Sequence, residues 1–488
     1  METPINCPSR ARGGTRMSTH TAAPNPPKSR VVSNVVKGCL GNLIEWFDWF
    51  VYASFSIYFA KSFFPADDLT AQLLAAASIF AVGFLMRPLG GWLLGMYADR
   101  FGRRNALAVS VLLMGAGSLM IALSPSYQTI GIAAPIILLL ARLLQGLSVG
   151  GEFGSSATYL SEISTPGRRG FYSSFQYVSI IMGQLSALLL MILLQNILTE
   201  EQMYAYGWRI PFVVGAVAGL AVMLLRRGMD ESDHYKEEQT RAKADGQKQV
   251  GGLRALAKYP KQLAAVFGLA LGGTVAFYVY TSYMQKYMVN TSGISKEDAA
   301  MISFIALFIF MLLQPIAGAL SDKIGRRKIM LFFSIGGTIA TVPLLTMLSH
   351  TSNVFAAFGL MMVGLVFVTG YTSLSAIIKA EMFPTKVRAL GVGLPHAIVA
   401  ALFGGTAEPV ALALKQAGVE SMFFWYVTGC IALTMLAAFM VKEPSKNSQL
   451  DLRRPSDATG TTSDTVADST TDTAQAAASE QPELVPTK

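Results

Sequence analysis

The sequence predicts an all-α membrane protein of twelve transmembrane helices in two six-helix bundles, with both termini cytoplasmic. Three observations carry this reading. The chain is 52% hydrophobic with only 14% charged residues, a membrane-class balance. Apolar runs long enough to cross a bilayer recur along it. One polar knot, Gly-x-x-x-Asp-Arg/Lys-x-Gly-Arg-Arg, occurs twice, at Gly95–Arg104 and Gly318–Arg327, 223 residues apart. A knot repeated in both halves of a hydrophobic chain signals an internally duplicated transporter.

In chain order, residues 1–30 are Pro-, Arg- and Ser-rich and lack an apolar h-region, so a disordered tail without a cleaved signal peptide is expected. Six apolar runs follow at about 33–61, 70–98, 105–124, 129–162, 170–197 and 207–227, giving an N-terminal bundle over 31–227. A polar linker spans 228–258. Six more runs, at about 259–289, 297–321, 328–349, 353–380, 388–416 and 420–442, give a C-terminal bundle over 259–442. Residues 443–488 are Ser/Thr/Asp/Ala-rich and read as a second disordered tail. Lipid offers backbone amides no partner, so each run must be helical, and a β-barrel would need ten-residue alternation instead.

The net charge of +9 suits nucleic acid in total but not in placement. Arg100, Arg103 and Arg104, then Arg168 and Arg169, Arg226 and Arg227, and Lys323, Arg326, Arg327 and Lys328 fall in every second loop. The alternate loops hold Asp67 and Asp68, Glu200 and Glu201, or almost no charge. Basic loops stay cytoplasmic, which sets the orientation. Cys7, Cys39 and Cys430 are too scattered for a disulfide frame or metal site, and His20, His234, His350 and His396 form no ligand cluster. No phosphate loop or nucleophile–base spacing appears, so no cofactor, metal or enzymatic activity is expected.

The loop motifs have a mechanical reading. Asp99 and Asp322 end their helices where each can cap a neighbouring helix and pair with Arg. Gly95 and Gly318 permit close approach, while Gly102, Arg103 and Arg104 and their mates Gly325, Arg326 and Arg327 complete the knot. It is expected to act as a cytoplasmic gate latch. A second repeat agrees: Glu162 precedes Arg169, and Glu381 precedes Arg388, each by seven residues.

Charges inside the membrane are functional candidates, since one at mid-bilayer costs roughly 2.5–3.5 kcal/mol. In helix 1, Asn42, Glu45, Asp48, Tyr52 and Ser56 share a stripe about 120° wide. In helix 4, Arg142, Gln145, Ser148, Glu152, Ser156 and Tyr159 do the same, and are expected to face a central cavity. Arg87 of helix 2 precedes Pro88, which should bend the helix. Arg grips carboxylate with a planar fork, so Arg87 and Arg142 suit an anion with two carboxylates. Arg209 reads as structural. In the C-terminal half, helix 7 carries Tyr278, Tyr280, Tyr283 and Lys286, an interface belt or a gate; Gln314, Thr372, Ser373 and Ser375 are possible lining. The candidate substrate contacts are Arg87, Arg142, Gln145, Tyr52, Tyr283 and Lys286.

Gly41–Asp48, Phe84–Gly91, Ala141–Glu152 and Gly207–Pro211, beside the loop motifs, resemble the major facilitator superfamily, in its metabolite:proton symporter branch. Tyr283–Thr291, Glu381–Gly393 and Phe423–Thr428 are most similar to members carrying α-ketoglutarate. The resemblance spans about 35–442 and implies import of a dicarboxylate by proton symport with alternating access, by a monomer in the bacterial inner membrane. Relatives carrying citrate, shikimate, proline or betaine are the alternatives; a channel or membrane sensor is the competing class. Bringing a dianion into a cell at −100 mV costs about 4.6 kcal/mol at roughly 2.3 kcal/mol per charge. A proton-binding carboxylate must offset that, and Glu45 heads the candidates, with Asp48, Glu152 and Glu408; sodium coupling stays open.

Overall fold

The computed structural model describes residues 28–64, 69–226 and 252–450, with Tyr235 and Thr240 between them. Most of both tails and of the linker, with Cys7, His20, Asp67, Asp68 and His234, lie outside the described residues.

Among the described residues, twelve long helices follow one another. The N-terminal set is α1 (Lys28–Phe63), α2 (Leu69–Leu85, resumed as Arg87–Phe101), α3 (Arg103–Leu123), α4 (Ala133–Ile163), α5 (Arg169–Ile197) and α6 (Ile210–Arg226). The C-terminal set begins with α7 (Pro260–Tyr278, a π-helical turn Val279–Tyr283, then Met284–Asn290), α8 (Lys296–Ile324) and α9 (Arg326–Ser349). It ends with α10 (Val354–Thr372, resumed as Ser375–Ala380), α11 (Arg388–Val399, a π-helical turn Ala400–Gly404, then Ala407–Gln416) and α12 (Ser421–Met440). Among the described residues, eleven segments are long and apolar enough to cross a membrane. The first helix is not one of them, since Asn42, Glu45 and Asp48 interrupt its middle.

Helix pairings repeat with an offset of six. Within each half, α1 packs on α5 as α7 does on α11, α2 on α4 as α8 on α10, and α3 on α6 as α9 on α12. Between the halves, α2 lies against α11 and α8 against α5. The bend expected at Pro88 falls where the chemistry places it. Pro88 has no N–H to donate, and α2 restarts at Arg87 after Met86. The α2–α4 crossing is backbone-close: a Cβ on Gly150 would sit 2.1 Å from the Arg87 carbonyl oxygen, so only glycine fits.

The C-terminal boundary differs from the sequence reading. Residues 444–447 form a short 3-10 turn, and Leu450 is buried against Ile329, Leu374 and Ile377. The chain just past α12 therefore packs onto the bundle.

Candidate transport site

The basic loops gather at one end, and there the two halves hold each other. Asp99, in the last turn of α2, accepts from the backbone N–H groups of Ala389 and Leu390, both at 3.1 Å, and so caps α11. Asp322, at the same place in α8, accepts from Gly170 (2.8 Å) and Phe171 (3.0 Å), capping α5. Each Asp also pairs with an Arg four residues on: Arg103 at 3.2 Å and Arg326 at 2.8 Å. Capping carboxylates at helix N-termini satisfy orphan donors and meet the positive end of the dipole. Gly95 and Gly318 let the backbones meet: a Cβ on Gly318 would lie 2.5 Å from the Gly170 carbonyl oxygen. Gly102 and Gly325 start α3 and α9 at φ 103° and 100°, a turn that favours glycine.

The second repeat cross-links the same end. Glu162 of α4 pairs with Arg388 of α11 at 2.6 Å and with Arg103 at 3.5 Å; Arg103 also donates to the Thr385 carbonyl at 2.7 Å. Glu381 meets Arg326 at 3.6 Å. Arg327 donates to the carbonyls of Ala438 and Phe439 within its own half, and Arg104 is half-buried at the start of α3. The structure thus shows this end closed.

Between the halves lies a narrow cavity, walled by Trp46, Arg87, Phe153, Tyr177, Tyr278 and His396 among others. Arg87 is its cation. Its Nη1 donates to the Tyr278 hydroxyl of the other half at 2.7 Å, while Nε and Nη2 are buried without a partner. Its guanidinium lies 4.3 Å from the Trp49 ring centre and 4.0 Å from that of Phe84, so aromatic faces replace a counter-ion. A guanidinium offers its donors as a planar fork, and two of those of Arg87 are unused here.

The polar stripes turn elsewhere. Arg142 is fully buried between Trp49, Tyr52 and Phe80 and does not line the cavity. Its Nη1 donates to Gln145 (2.6 Å), Gln145 donates to Ser118 (2.8 Å), and Ser118 donates to Asp48 Oδ2 (2.7 Å). This directed chain ends at a buried carboxylate whose Oδ1 has no partner and which packs against Gly215 of α6. One turn along, Ser148 donates to Glu45 at 3.1 Å and Ser110 to Glu152 at 2.6 Å, with both acids buried. The stripe of α4 therefore faces the interior of the N-terminal half. Its Gly ridge, with Val149 and Phe153, faces α2 and the cavity, because small residues win the closest crossing.

The remaining candidates lie apart from the cavity. Tyr52 donates to the Ala76 carbonyl at 2.9 Å and carries Arg142 on its ring. Tyr283 packs on Tyr287 and Phe423. Lys286 and Glu408 pair with each other at 2.5 Å, half-exposed on α7 and α11. Arg209 donates to the carbonyls of Ala122 and Ser124, which is its structural role. Thr372 donates to Gln314 at 2.8 Å. The sequence reading gave no role here to His396 or to Lys379. His396 lines the cavity, stacked on Phe153 at 3.8 Å, and Lys379 contacts it from behind at 3.2 Å. A lysine in an apolar helical run is the signal that marks Lys379.

A duplicated helical bundle with a cavity between its halves and two matching helix caps that join the halves at one end is the architecture of a secondary carrier. The chain belongs to the Major Facilitator Superfamily, whose pattern matches residues 38–395 and again 285–471. It is 51% identical over 416 residues to the alpha-ketoglutarate permease of Escherichia coli (strain K12), covering 85% of this chain and 95% of that protein. It is 34% identical over 424 residues to a citrate-proton symporter of Salmonella typhi, covering 86% and 96%. The fold matches the proton:xylose symporter XylE bound to 6-bromo-6-deoxy-D-glucose with TM-score 0.70 at 20% identity, over 87% of this chain and 98% of that one. The relatives and the fold are those of transporters, and the protein is a multi-pass membrane protein.

Proposed function

We propose that the protein imports a dicarboxylate, α-ketoglutarate first, by proton symport and alternating access, as a monomer in the bacterial inner membrane with its basic end cytoplasmic and with no catalytic step. The observation that carries the reading is Arg87: a buried fork with two unused donors on the wall of the inter-half cavity. The likeness to a permease named for α-ketoglutarate supports the choice of substrate. Arg142, which does not line the cavity, is assigned to the proton site through Gln145 and Ser118 rather than to a second anion contact. Asp48 is ranked ahead of Glu45 for that role. It is buried, has no ion-pair partner among the described residues, and accepts the last bond of a chain that begins on a cation. A buried carboxylate costs several kcal/mol unless it gains a counter-charge or a proton, so uptake of a proton there supplies the required compensation.

The test is uptake of labelled α-ketoglutarate into proteoliposomes under an inward pH gradient. Mono-, di- and tricarboxylates and betaine serve as competitors. Concentrative uptake that a protonophore collapses, and that dicarboxylates compete best, supports the reading. Passive flux indifferent to the protonophore, uptake driven by sodium alone, or competition by betaine alone overturns it.

A further inference from the structure

Lys379 is fully buried at the inner end of α10, where it touches both halves of the molecule. Its Nζ meets three groups: Ser375 Oγ at 2.8 Å, His396 Nδ1 at 3.2 Å and the Tyr371 hydroxyl at 3.4 Å. Its neighbours in space are the ring faces of Phe153 (4.9 Å) and Tyr371 (5.5 Å). Every partner is neutral. No described carboxylate lies within ion-pair distance, although Glu381, two residues on, has its own Arg326. An ammonium group has three donors, and here all three are taken up by dipoles that leave the charge itself uncompensated. Such a group is costly to bury and persists where something else supplies the opposite charge.

The cavity says what that is. His396 stands between Lys379 and the cavity, with Nδ1 facing the ammonium and its ring on Phe153. With Nδ1 accepting from Lys379, the imidazole hydrogen resides on Nε2. That atom has no partner among the described residues. The wall thus offers an arginine fork from α2 and an imidazole donor backed by an ammonium from α10 and α11. Tyr278, Tyr177 and Thr274 line the same cavity.

We propose that Lys379 and His396 form a second carboxylate subsite, which takes one end of the transported dianion while Arg87 takes the other. The subsite rests on the reading of the protein as a dicarboxylate carrier and adds to it the groups that tell a dicarboxylate from a monocarboxylate. Because Arg87 belongs to the N-terminal half and Lys379 to the C-terminal half, a dianion of sufficient length ties the halves together. A monoanion binds one half only.

The test compares binding of 2-oxoglutarate with that of 2-oxovalerate, the same five-carbon chain without the second carboxylate. Ligand-induced thermal shift of the purified protein reads binding without requiring transport. The wild-type protein is expected to prefer 2-oxoglutarate. Lys379→Gln should weaken 2-oxoglutarate by about thirtyfold or more, the cost of removing one side of a buried charge pair. It should change 2-oxovalerate less than about threefold, so the preference disappears. The ligand-free variant should melt no lower than wild type, because an uncompensated charge has been removed. His396→Phe keeps the stack on Phe153, removes the donor and should erase the same preference, which covers the case of a poorly folded Lys379 variant. If both variants keep the wild-type preference, or if both weaken the two ligands equally, the subsite is overturned. If wild type itself shows no preference for the dicarboxylate, the functional reading falls with it, and the two failures are distinguishable.

Discussion

Replacing Asp99 by Asn should loosen the closed basic end and leave the bundle intact. The carboxylate accepts two backbone N–H groups of α11 at 3.1 Å and pairs with Arg103 at 3.2 Å. An Asn side chain has one carbonyl oxygen, so one of those two donors loses its acceptor, and the charge opposite Arg103 is gone. A hydrogen bond to a charged group contributes about 1.5–3 kcal/mol, and these bonds exist only while α2 and α11 meet. The closed state therefore loses about 2 kcal/mol, close to thirtyfold in the equilibrium between closed and open. Asp322→Asn should do the same on the α8–α5 side, since Asp322 makes the matching bonds to Gly170 and Phe171. The sites are well separated, so the double variant should shift the balance by about 4 kcal/mol, or nearly a thousandfold. The assay is a spin-label distance across the basic end, with Asn105→Cys and Lys328→Cys in a background where Cys7, Cys39 and Cys430 are replaced. Both labelling positions are exposed, one in each half. The short distance should dominate in wild type and give way to a longer one in the double variant. An unchanged distribution in the double variant would refute the latch.

Three further outcomes are expected. Arg87→Lys keeps the charge and loses the fork and its bond to Tyr278, so KM for α-ketoglutarate should rise about tenfold or more with normal membrane insertion; normal transport would make Arg87 structural. Asp48→Asn should abolish accumulation driven by a pH gradient and spare exchange across preloaded vesicles, because exchange needs no net proton turnover. Glu45→Gln is the companion variant, and if it alone shows this split the proton site moves one turn towards Ser148. Orientation is checked by thiol labelling of intact cells: Gly246→Cys should be shielded from an impermeant reagent while Asp67→Cys reacts, both positions lying outside the described residues, and the reverse pattern would invert the topology.

The capping and pairing of Asp99 and Asp322 were legible in the sequence because their parts are local. Asp, Gly and Arg at fixed spacing in a short loop define a helix end, a tight turn and a charge pair whatever the partner, and duplication supplies the partner. The cavity was less legible because helical periodicity gives a face but not its neighbour. The stripe on α1 is real, yet it serves four helices. Asn42 bonds Gln176 and Ser179 of α5, Glu45 accepts from Ser148 of α4, Asp48 from Ser118 of α3, and Tyr52 donates to Ala76 of α2. A helix near the middle of a bundle has neighbours all round, so one polar face need not line one space. Lys286 and Glu408 were each plausible alone; only the fold brings α7 and α11 close enough for them to pair. Lys379 ends an apolar run, two residues before the loop acid Glu381. Its long stem carries the ammonium back along α10 to Ser375 and His396, which sequence spacing does not reveal.

The placement of Lys379 also bears on how the halves move together. A ligand shifts a conformational equilibrium only through contacts that differ between the two states. In this protein the groups that wall the cavity and those that close the basic end share the same elements. On α10 and the turn after it, Lys379 faces His396 while Glu381 meets Arg326. On α11, His396 lines the cavity while Arg388 holds Glu162 and Asp99 caps the first turn. On α2, Arg87 and Asp99 stand twelve residues, about 18 Å, apart on one helix. A rigid-body tilt of one half cannot move the cavity wall and leave the latch in place. Both capped interfaces, α2 with α11 and α8 with α5, cross the same boundary, so a rocking of the halves strains them together. If the basic end opens by such a rocking, the duplication makes both capped interfaces part in one motion, because Asp99 and Asp322 hold the same boundary.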